Sequence, residues 1–504
     1  MPPELPPLLL AATESASSDG GFSLAGLGVA ATGLIFAHGL ELLLIRWVLL
    51  SPGRQPQSSV AWILTIAFVP YLGALLYLVF GVDRITRRRR QRVAEVDSLA
   101  NRDDEVESRV AVDLSQWSER GLRAMRATEA LCQTRPTAGN RIEIIHNTHR
   151  TMGLIEQAIE RAQDHIHLEY YIWQPDEAGR ELRDLLIEKA KQGIEVRFLY
   201  DSFGSTFLRA RFLNPMTKAG IQVQTFLPGQ TLREKWAINN RSHRKIVVVD
   251  GEVGFTGGMN IGDEYLGRIK KIGRWRDTHM RIEGAAVHQL QQVFREDWFF
   301  ACGEELDGER YFPPPTRHEP SEIAQIVAGG PERDARPFHQ ILFTAINEAE
   351  RSVHLTTGYF IPTDSLAMAL ASAALRGIEV NILVPGRTPH LIEATIAAGR
   401  SYYDKLLAAG CRIHEYTAGT MHAKTLTVDG LWSLVGSCNF DARSTLLNFE
   451  VGCVVYGETA AENLVRQFEI DIRDAVEITA EDRAKRRPRH RFAENFCRLF
   501  APIL

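Results

Sequence analysis

Two long apolar runs open the chain. Val60 to Val82 (VAWILTIAFVPYLGALLYLVFGV) carries no charged residue and is long enough, as a helix, to cross a bilayer core of about 30 Å. Gly21 to Leu40 is also uncharged, and its apolar character continues to Leu50, interrupted only by Glu41 and Arg46. The pattern predicts an N-terminal tail at 1–20 and a membrane anchor at 21–92, with transmembrane helices at about 24–48 and 60–82. Pro70 predicts a kink in the second span, which membrane helices tolerate; a buried helix is the competing reading.

Beyond about residue 137 the pattern becomes an alternation of amphipathic helical stretches and short apolar strands, and it repeats. Gly193-Ile194-Glu195-Val196 recurs verbatim as Gly377-Ile378-Glu379-Val380. Ala158-Ile159-Glu160-Arg161-Ala162 is echoed by Ala345-Ile346-Asn347-Glu348-Ala349, and Ala219-Gly220-Ile221 by Ala409-Gly410-Cys411. Alternating helices and strands predict two α/β sandwich lobes with mixed sheets, at 138–312 and 322–480. Phe312-Pro313-Pro314-Pro315-Thr316 is the natural linker, because it continues neither a helix nor a central strand. Residues 93–137 read as a charged, mostly helical connector. Residues 481–504 read as a basic amphipathic C-terminal helix, in which Phe492, Phe496, Leu499 and Phe500 share one stripe. Both an interfacial helix and one packed on the body fit that stripe.

Charge adds a direction. Arg84, Arg87 to Arg90 and Arg92 follow the second span, and the positive-inside bias assigns them and all that follows to the cytoplasmic side. Residues 1–20 hold no Lys or Arg, unlike a secretory signal peptide. The net charge of −4 over 504 residues argues against a general nucleic-acid binder. The six cysteines (132, 302, 411, 438, 453, 497) have no paired short spacing, so neither a zinc site nor a disulfide framework is expected.

The chemistry lies in a duplicated string. His243-Arg244-Lys245-Ile-Val-Val-Val-Asp250 returns as His422-Ala423-Lys424-Thr-Leu-Thr-Val-Asp429, and each copy leads to a small-residue turn ending in Asn, at Asn260 and Asn439. Residues i and i+2 of a strand share a face, so His243 points with Lys245, and His422 with Lys424. Asp250-Gly251 and Asp429-Gly430 read as turn dipeptides. Two imidazoles on one phosphate can divide attack from leaving-group protonation without a metal.

With this motif the chain resembles the phospholipase D superfamily and, within it, the bacterial cardiolipin synthases. The likeness extends to His167–Pro175, Trp275-Arg276-Asp277, Leu447-Asn448-Phe449-Glu450 and the tail Phe500–Leu504. A departure is Gly258, where the superfamily often has Ser, as at Ser437. The resemblance implies phosphatidyl transfer through a phosphohistidine with no cofactor. It also implies phosphatidylglycerol as donor and acceptor, cardiolipin and glycerol as products, and the bacterial cytoplasmic membrane as location. The superfamily's usual order makes His243 the nucleophile and His422 the general acid, although the residues alone leave the two interchangeable. Lys245, Lys424, Asn260, Asn439 and Ser437 are then expected around the phosphoryl group. Glu450 and Asp277 are the family-matched carboxylates for orienting the histidines, and Asp250 and Asp429 complete the motif. Glu169, in an apolar run, must be paired or face the cleft. Arg268, Lys270, Lys271, Arg274 and Arg276 form a basic stretch that is either a head-group loop on an anionic membrane or a solvated loop. A hydrolytic phospholipase D, a nuclease and an inactive membrane scaffold are the rival functions. No aromatic-basic track for single-stranded nucleic acid is present, and the oligomeric state is open.

Overall fold

The computed structural model describes residues 38–51, 56–69, 71–81, 119–132, 134–226, 241–331, 335–386 and 393–500. The expected tail at 1–20, the first part of the first span, the arginine cluster at 84–92, most of the connector and residues 501–504 lie outside the described residues. The chain divides into two units, Met1–Asp83 and Arg84–Leu504.

In the first unit residues 38–50 are helical, followed by helices Pro56–Phe68 and Leu72–Leu76 and a π-helical turn Tyr77–Gly81. The span expected over about 60–82, with a kink at Pro70, is interrupted after Phe68. The break coincides with Pro70, whose ring removes a backbone donor and disfavours helical geometry in the preceding residue. No helix among the described residues is long and apolar enough to cross a membrane. Leu44, Val48, Ile66, Ala74 and Tyr77 form a small core. Gly73 lets two helices meet there, since a Cβ on it would lie 2.2 Å from the Thr65 carbonyl oxygen. Leu42, Leu43, Trp47, Leu50, Phe68 and Leu72 remain exposed.

The second unit holds both lobes. Lobe one supplies β1 (Thr137–Ile145), β2 (His165–Tyr170), β3 (Glu195–Asp201), β4 (Gln222–Phe226), β5 (Lys245–Val249), β6 (Val253–Gly257), β7 (Trp275–Arg276) and β8 (His279–Glu283). Lobe two supplies β9 (Glu322–Gly329), β10 (Ser352–Thr356), β11 (Phe360–Ile361), β12 (Glu379–Pro385), β13 (Arg412–Tyr416) and β14 (Thr420–Met421). It continues with β15 (Thr425–Val428), β16 (Trp432–Gly436), β17 (Phe440–Asp441), β18 (Glu450–Tyr456) and β19 (Ala475–Ile478).

Fifteen strands form one continuous mixed sheet in the order β19-β13-β12-β10-β15-β16-β18-β9-β1-β8-β6-β5-β2-β3-β4. Apart from the added edge strand β19, the order reads the same from either end once the lobes are exchanged. The pseudo-two-fold seam is the antiparallel pair β1–β9, with Thr137 opposite Ala324. The β-branched run Ile246-Val247-Val248-Val249 is buried on both faces, as expected of a central strand covered by helices. Both Asp-Gly dipeptides form the predicted turns, with positive φ at Asp250, Gly251, Asp429 and Gly430.

Two helices cross the expected boundaries. Glu119–Cys132, placed by sequence in a connector, sends Ala124, Met125 and Cys132 into the lobe-two core beside Phe338 and Ile341. Helix Ala286–Cys302 belongs to lobe one, yet its Leu290, Phe294 and Trp298 share a core with Ile326, Val451 and Val455 of lobe two. The seam therefore rests on apolar packing as well as on strand pairing, which keeps the two halves in fixed register.

Candidate active site

Each histidine sits just before a central strand and is held by the opposite lobe. The His243 backbone N–H donates to the Phe449 carbonyl at 2.8 Å, and the His422 N–H donates to the Arg276 carbonyl at 2.8 Å. Ser242 bridges to Phe449, and β14 pairs in parallel with β7. These short cross-lobe ladders carry Glu450 to His243 and Asp277 to His422. His243 Nδ1 lies 3.0 Å from Glu450 Oε2, and His422 Nδ1 lies 2.7 Å from Asp277 Oδ2. The carboxylates expected one per lobe thus serve crosswise.

Lys245 Nζ donates to the carbonyl of His243 at 2.6 Å, and Lys424 Nζ donates to that of His422. The positive charge of Lys424 bears on His243, and that of Lys245 on His422. The two constellations therefore belong to one cleft at the seam.

Burial governs the protonation states. It lowers His243 below its ordinary value against the opposing pull of Glu450. Burial and then Lys424 lower His422 further, to about 4. Both rings are accordingly neutral in the empty site at neutral pH. Burial also lowers Lys245 to about 7 and Lys424 to about 8. Burial alone would raise Glu450 and Asp277, but the adjacent imidazoles and lysines hold both below the usual carboxylate value. An anionic phosphodiester entering here would stabilise every one of these cations.

The lobes differ in detail. Ser437 Oγ donates to Glu450 Oε2. At the matching position a Cβ on Gly258 would lie 2.0 Å from Asp277 Oδ1, so the shorter carboxylate occupies the space of the missing hydroxyl. Asp277 gains instead the Thr278 N–H at 2.9 Å and Trp275 Nε1–H at 3.3 Å. Asn260 Oδ1 accepts the Ile172 N–H at 3.2 Å, whereas Asn439 Oδ1 is buried with no partner among the described residues. Tyr171 packs edge-on against His243 at 5.0 Å. Around His422 stand Trp275 at 5.1 Å and Tyr359 at 6.5 Å.

Other sequence-predicted residues lie elsewhere or act indirectly. Asp250 and Asp429 stand at the far ends of β5 and β15. There their carboxylates accept the backbone N–H groups of Gln163, Asp164 and His165, and of Glu350, Arg351 and Ser352. They fix turns and strand starts, outside the cleft. Glu169 is buried and touches neither histidine; its Oε1 accepts from Ser242 Oγ at 2.5 Å. Burial, then Asp297, raises it well above the usual carboxylate value. Of the basic stretch, Arg276 is buried against Asp471 at 2.8 Å, which removes it from any head-group surface. Arg268 is shared among Glu181, Asp263 and Glu177, and Arg274 pairs with Asp474. Of this stretch, Lys270 and Lys271 stand exposed without an ion pair among the described residues.

Sequence reasoning did not single out Tyr359 or Gly358. A Cβ on Gly358 would lie 3.2 Å from His422 Cα and 3.3 Å from Asn439 Oδ1. Nothing in the motif marks either position. Trp275 was marked only as part of a family-like triad.

A family model described as "Cardiolipin synthase, PLD-like domain" matches residues 155–298 and 342–472, one stretch in each lobe. The chain belongs to the cardiolipin synthase family. A second model, "Phospholipase_D-nuclease N-terminal", matches residues 42–81. Cardiolipin synthase 1 of Bacillus anthracis is 39% identical over 468 residues, which are 91% of this chain and 92% of that protein. The cardiolipin synthase of Geobacillus kaustophilus is 38% identical over 465 residues, 92% of each chain. Among solved structures, a phosphatidylserine synthase from Haemophilus influenzae matches with a TM-score of 0.57 at 15% identity. That match covers 76% of this chain and 98% of that one, and it supports the two-lobed phospholipase D-like fold alone.

Proposed function

We propose that the chain is a phosphatidyltransferase making cardiolipin and glycerol from two molecules of phosphatidylglycerol. The observation that carries the mechanism is the crossed pair of imidazole–carboxylate contacts. With each Nδ1 held by a carboxylate, Nε2 is the nitrogen left to react.

His243 Nε2 attacks the phosphorus of the donor lipid and a P–N bond forms. The P–O bond to the glycerol head group breaks, and His422, protonated in the substrate complex, gives its proton to the departing oxygen. The neutral His422 then takes the proton from a terminal hydroxyl of a second phosphatidylglycerol, whose oxygen displaces His243. Lys245, Lys424, Asn260 and Asn439 surround the phosphoryl oxygens and stabilise the charge that builds there. The choice of His243 as nucleophile follows the superfamily order. The approach of the anionic diester supplies what His422 otherwise lacks, because a nearby negative charge raises its pKa.

The anchor fits a lipid substrate. The apolar stretches of sequence at about 24–48 and 60–82 are read as the anchor in the bacterial inner membrane, with the catalytic residues on the cytoplasmic side. Support comes from the outward apolar side chains of the first unit and from the arginines at 84–92. The lobes extend over about 138–312 and 322–480.

The deciding experiment incubates the purified full chain with phosphatidylglycerol in mixed micelles and reads lipids by mass spectrometry, glycerol enzymatically. Cardiolipin and glycerol in equal amounts are expected. Phosphatidic acid as the sole lipid product would make the protein a hydrolase, and no product at all would make it a scaffold.

A further inference from the structure

The C-terminal segment combines a pinned face with an open one. Helix Pro488–Arg498 follows a capping box in which Thr479 and Asp482 bind each other's backbone N–H groups. Its inner face is fixed to lobe two. Glu494 is buried between Arg483 and Arg486, which also reach Asp404. Arg498 lies over the Tyr402 ring at 4.4 Å and pairs with Asp364 at 3.2 Å. The helix rests on helix Glu393–Arg400.

The opposite face has no such cover. Phe492, Phe496, Leu499 and Phe500 are 71%, 50%, 74% and 45% exposed. They lie at i, i+4, i+7 and i+8, one stripe of a helix. The rings pack on each other, with centroids 6.0 Å and 5.4 Å apart. Arg487, Arg489 and Arg491 are exposed around the stripe. A helix held by buried ion pairs on one side does not need three packed phenylalanines in water on the other.

The helix connects to the cleft through the helix on which it rests. Tyr359 borders His422, Phe360 follows it, and Gly399 of the supporting helix packs on the Phe360 carbonyl. On the lobe-one side of the cleft, Phe203 and Phe207 are 54% and 62% exposed. Their loop is tied to Tyr171 beside His243, because Ser205 Oγ donates to the Tyr171 carbonyl at 2.9 Å. The Arg241 guanidinium covers Phe203 at 4.7 Å.

We infer that the Phe492–Phe496–Phe500 face, with Phe203 and Phe207, is an interfacial surface that seats the cleft mouth on an anionic lipid leaflet. Aromatic side chains flanked by arginine suit the boundary between acyl chains and anionic head groups. A second copy docked on the same face would set these arginines against one another, which argues against self-association. The choice of lipid rests on the proposed transferase activity; the surface itself does not.

Two measurements on the full chain test the inference. In bilayers containing phosphatidylglycerol with a photoactivatable acyl chain, peptide mapping is expected to find lipid adducts on 492–500 as well as on 38–81. Adducts confined to 38–81 would overturn the inference. Separately, the triple variant F492S/F496S/F500S is expected to release glycerol from bilayer phosphatidylglycerol at least tenfold more slowly than the unsubstituted protein. Its rate on monomeric dihexanoyl phosphatidylglycerol is expected to stay within twofold. Equal loss on both substrates, or loss on neither, would overturn it. An unsubstituted protein inactive on both lipids would refute the transferase reading and leave the adduct map to judge the surface.

Discussion

His243 and Glu450 come from different lobes and meet at 3.0 Å, while Asp277 and His422 meet across the same seam in the opposite sense at 2.7 Å. Neither motif histidine takes its carboxylate from its own lobe. Duplication has thus produced two half-sites that each require the other, and the shared sheet and the core beneath it keep them in register. Replacing Glu450 by Gln retains the shape and removes the charge that selects the His243 tautomer. Glycerol release from phosphatidylglycerol is expected to fall by about 10²–10⁴-fold, the scale on which orienting groups act. A rate within threefold of the unsubstituted protein would show that Glu450 serves only packing.

The division of labour between the rings is separable by trapping. With a donor carrying a good leaving group such as p-nitrophenol, no proton is needed for the first step. H422A is then expected to accumulate a phosphatidyl adduct, and H243A to accumulate none. Intact-mass spectrometry at neutral pH reads both, since a P–N bond survives there and is lost in acid. An adduct in H243A alone would exchange the two roles.

The acid–base behaviour has a defined sign. His243 must be neutral to attack, so activity is lost as pH falls through its value, which burial sets below 6.5. Lys245 and Lys424 must be cationic to hold the phosphoryl oxygens, so activity is lost as pH rises through values of about 7 and about 8. The pH profile of kcat/KM, which reports groups of the free enzyme, is expected to decline on its alkaline side because His422, at about 4, loses its proton, and to steepen between 7 and 8 as the lysines lose theirs. K245R, permanently charged, is expected to lower the maximum and move that steepening upward. A steepening unchanged by K245R would assign it elsewhere.

Much of this site was legible because its signal is local. The i, i+2 relation of His and Lys, the Asp-Gly turns and the recurrence of the string need no knowledge of tertiary contacts. What the string could not convey was which lobe each carboxylate serves, because cross-lobe pairing of two-residue segments leaves no periodicity. The basic stretch misled for a related reason: charge density in sequence does not separate Arg276, buried on Asp471, from exposed Lys270 and Lys271. Helix Glu119–Cys132 reads as a connector in sequence because its charged residues hide the apolar positions Ala124, Met125 and Cys132 that reach lobe two.

The asymmetry at Gly258 leads to a test of the crossed architecture itself. Superfamily resemblance suggests Ser there, yet any Cβ would lie 2.0 Å from Asp277 Oδ1, a separation that real side chains do not sustain. In lobe two the corresponding Ser437 coexists with a carboxylate because Glu450 is one methylene longer and receives the hydroxyl as a hydrogen bond. G258S is therefore expected to displace the Asp277 side chain and loosen His422. It should reduce glycerol release by at least tenfold while leaving the His243 adduct from an activated donor intact. G258S/D277E rebuilds the lobe-two arrangement in lobe one and is expected to recover at least part of the loss. Failure of the pair to recover, with both variants folded by circular dichroism, would mean that the two half-sites are not interchangeable. A fully active G258S would mean that Asp277 has room the geometry denies it.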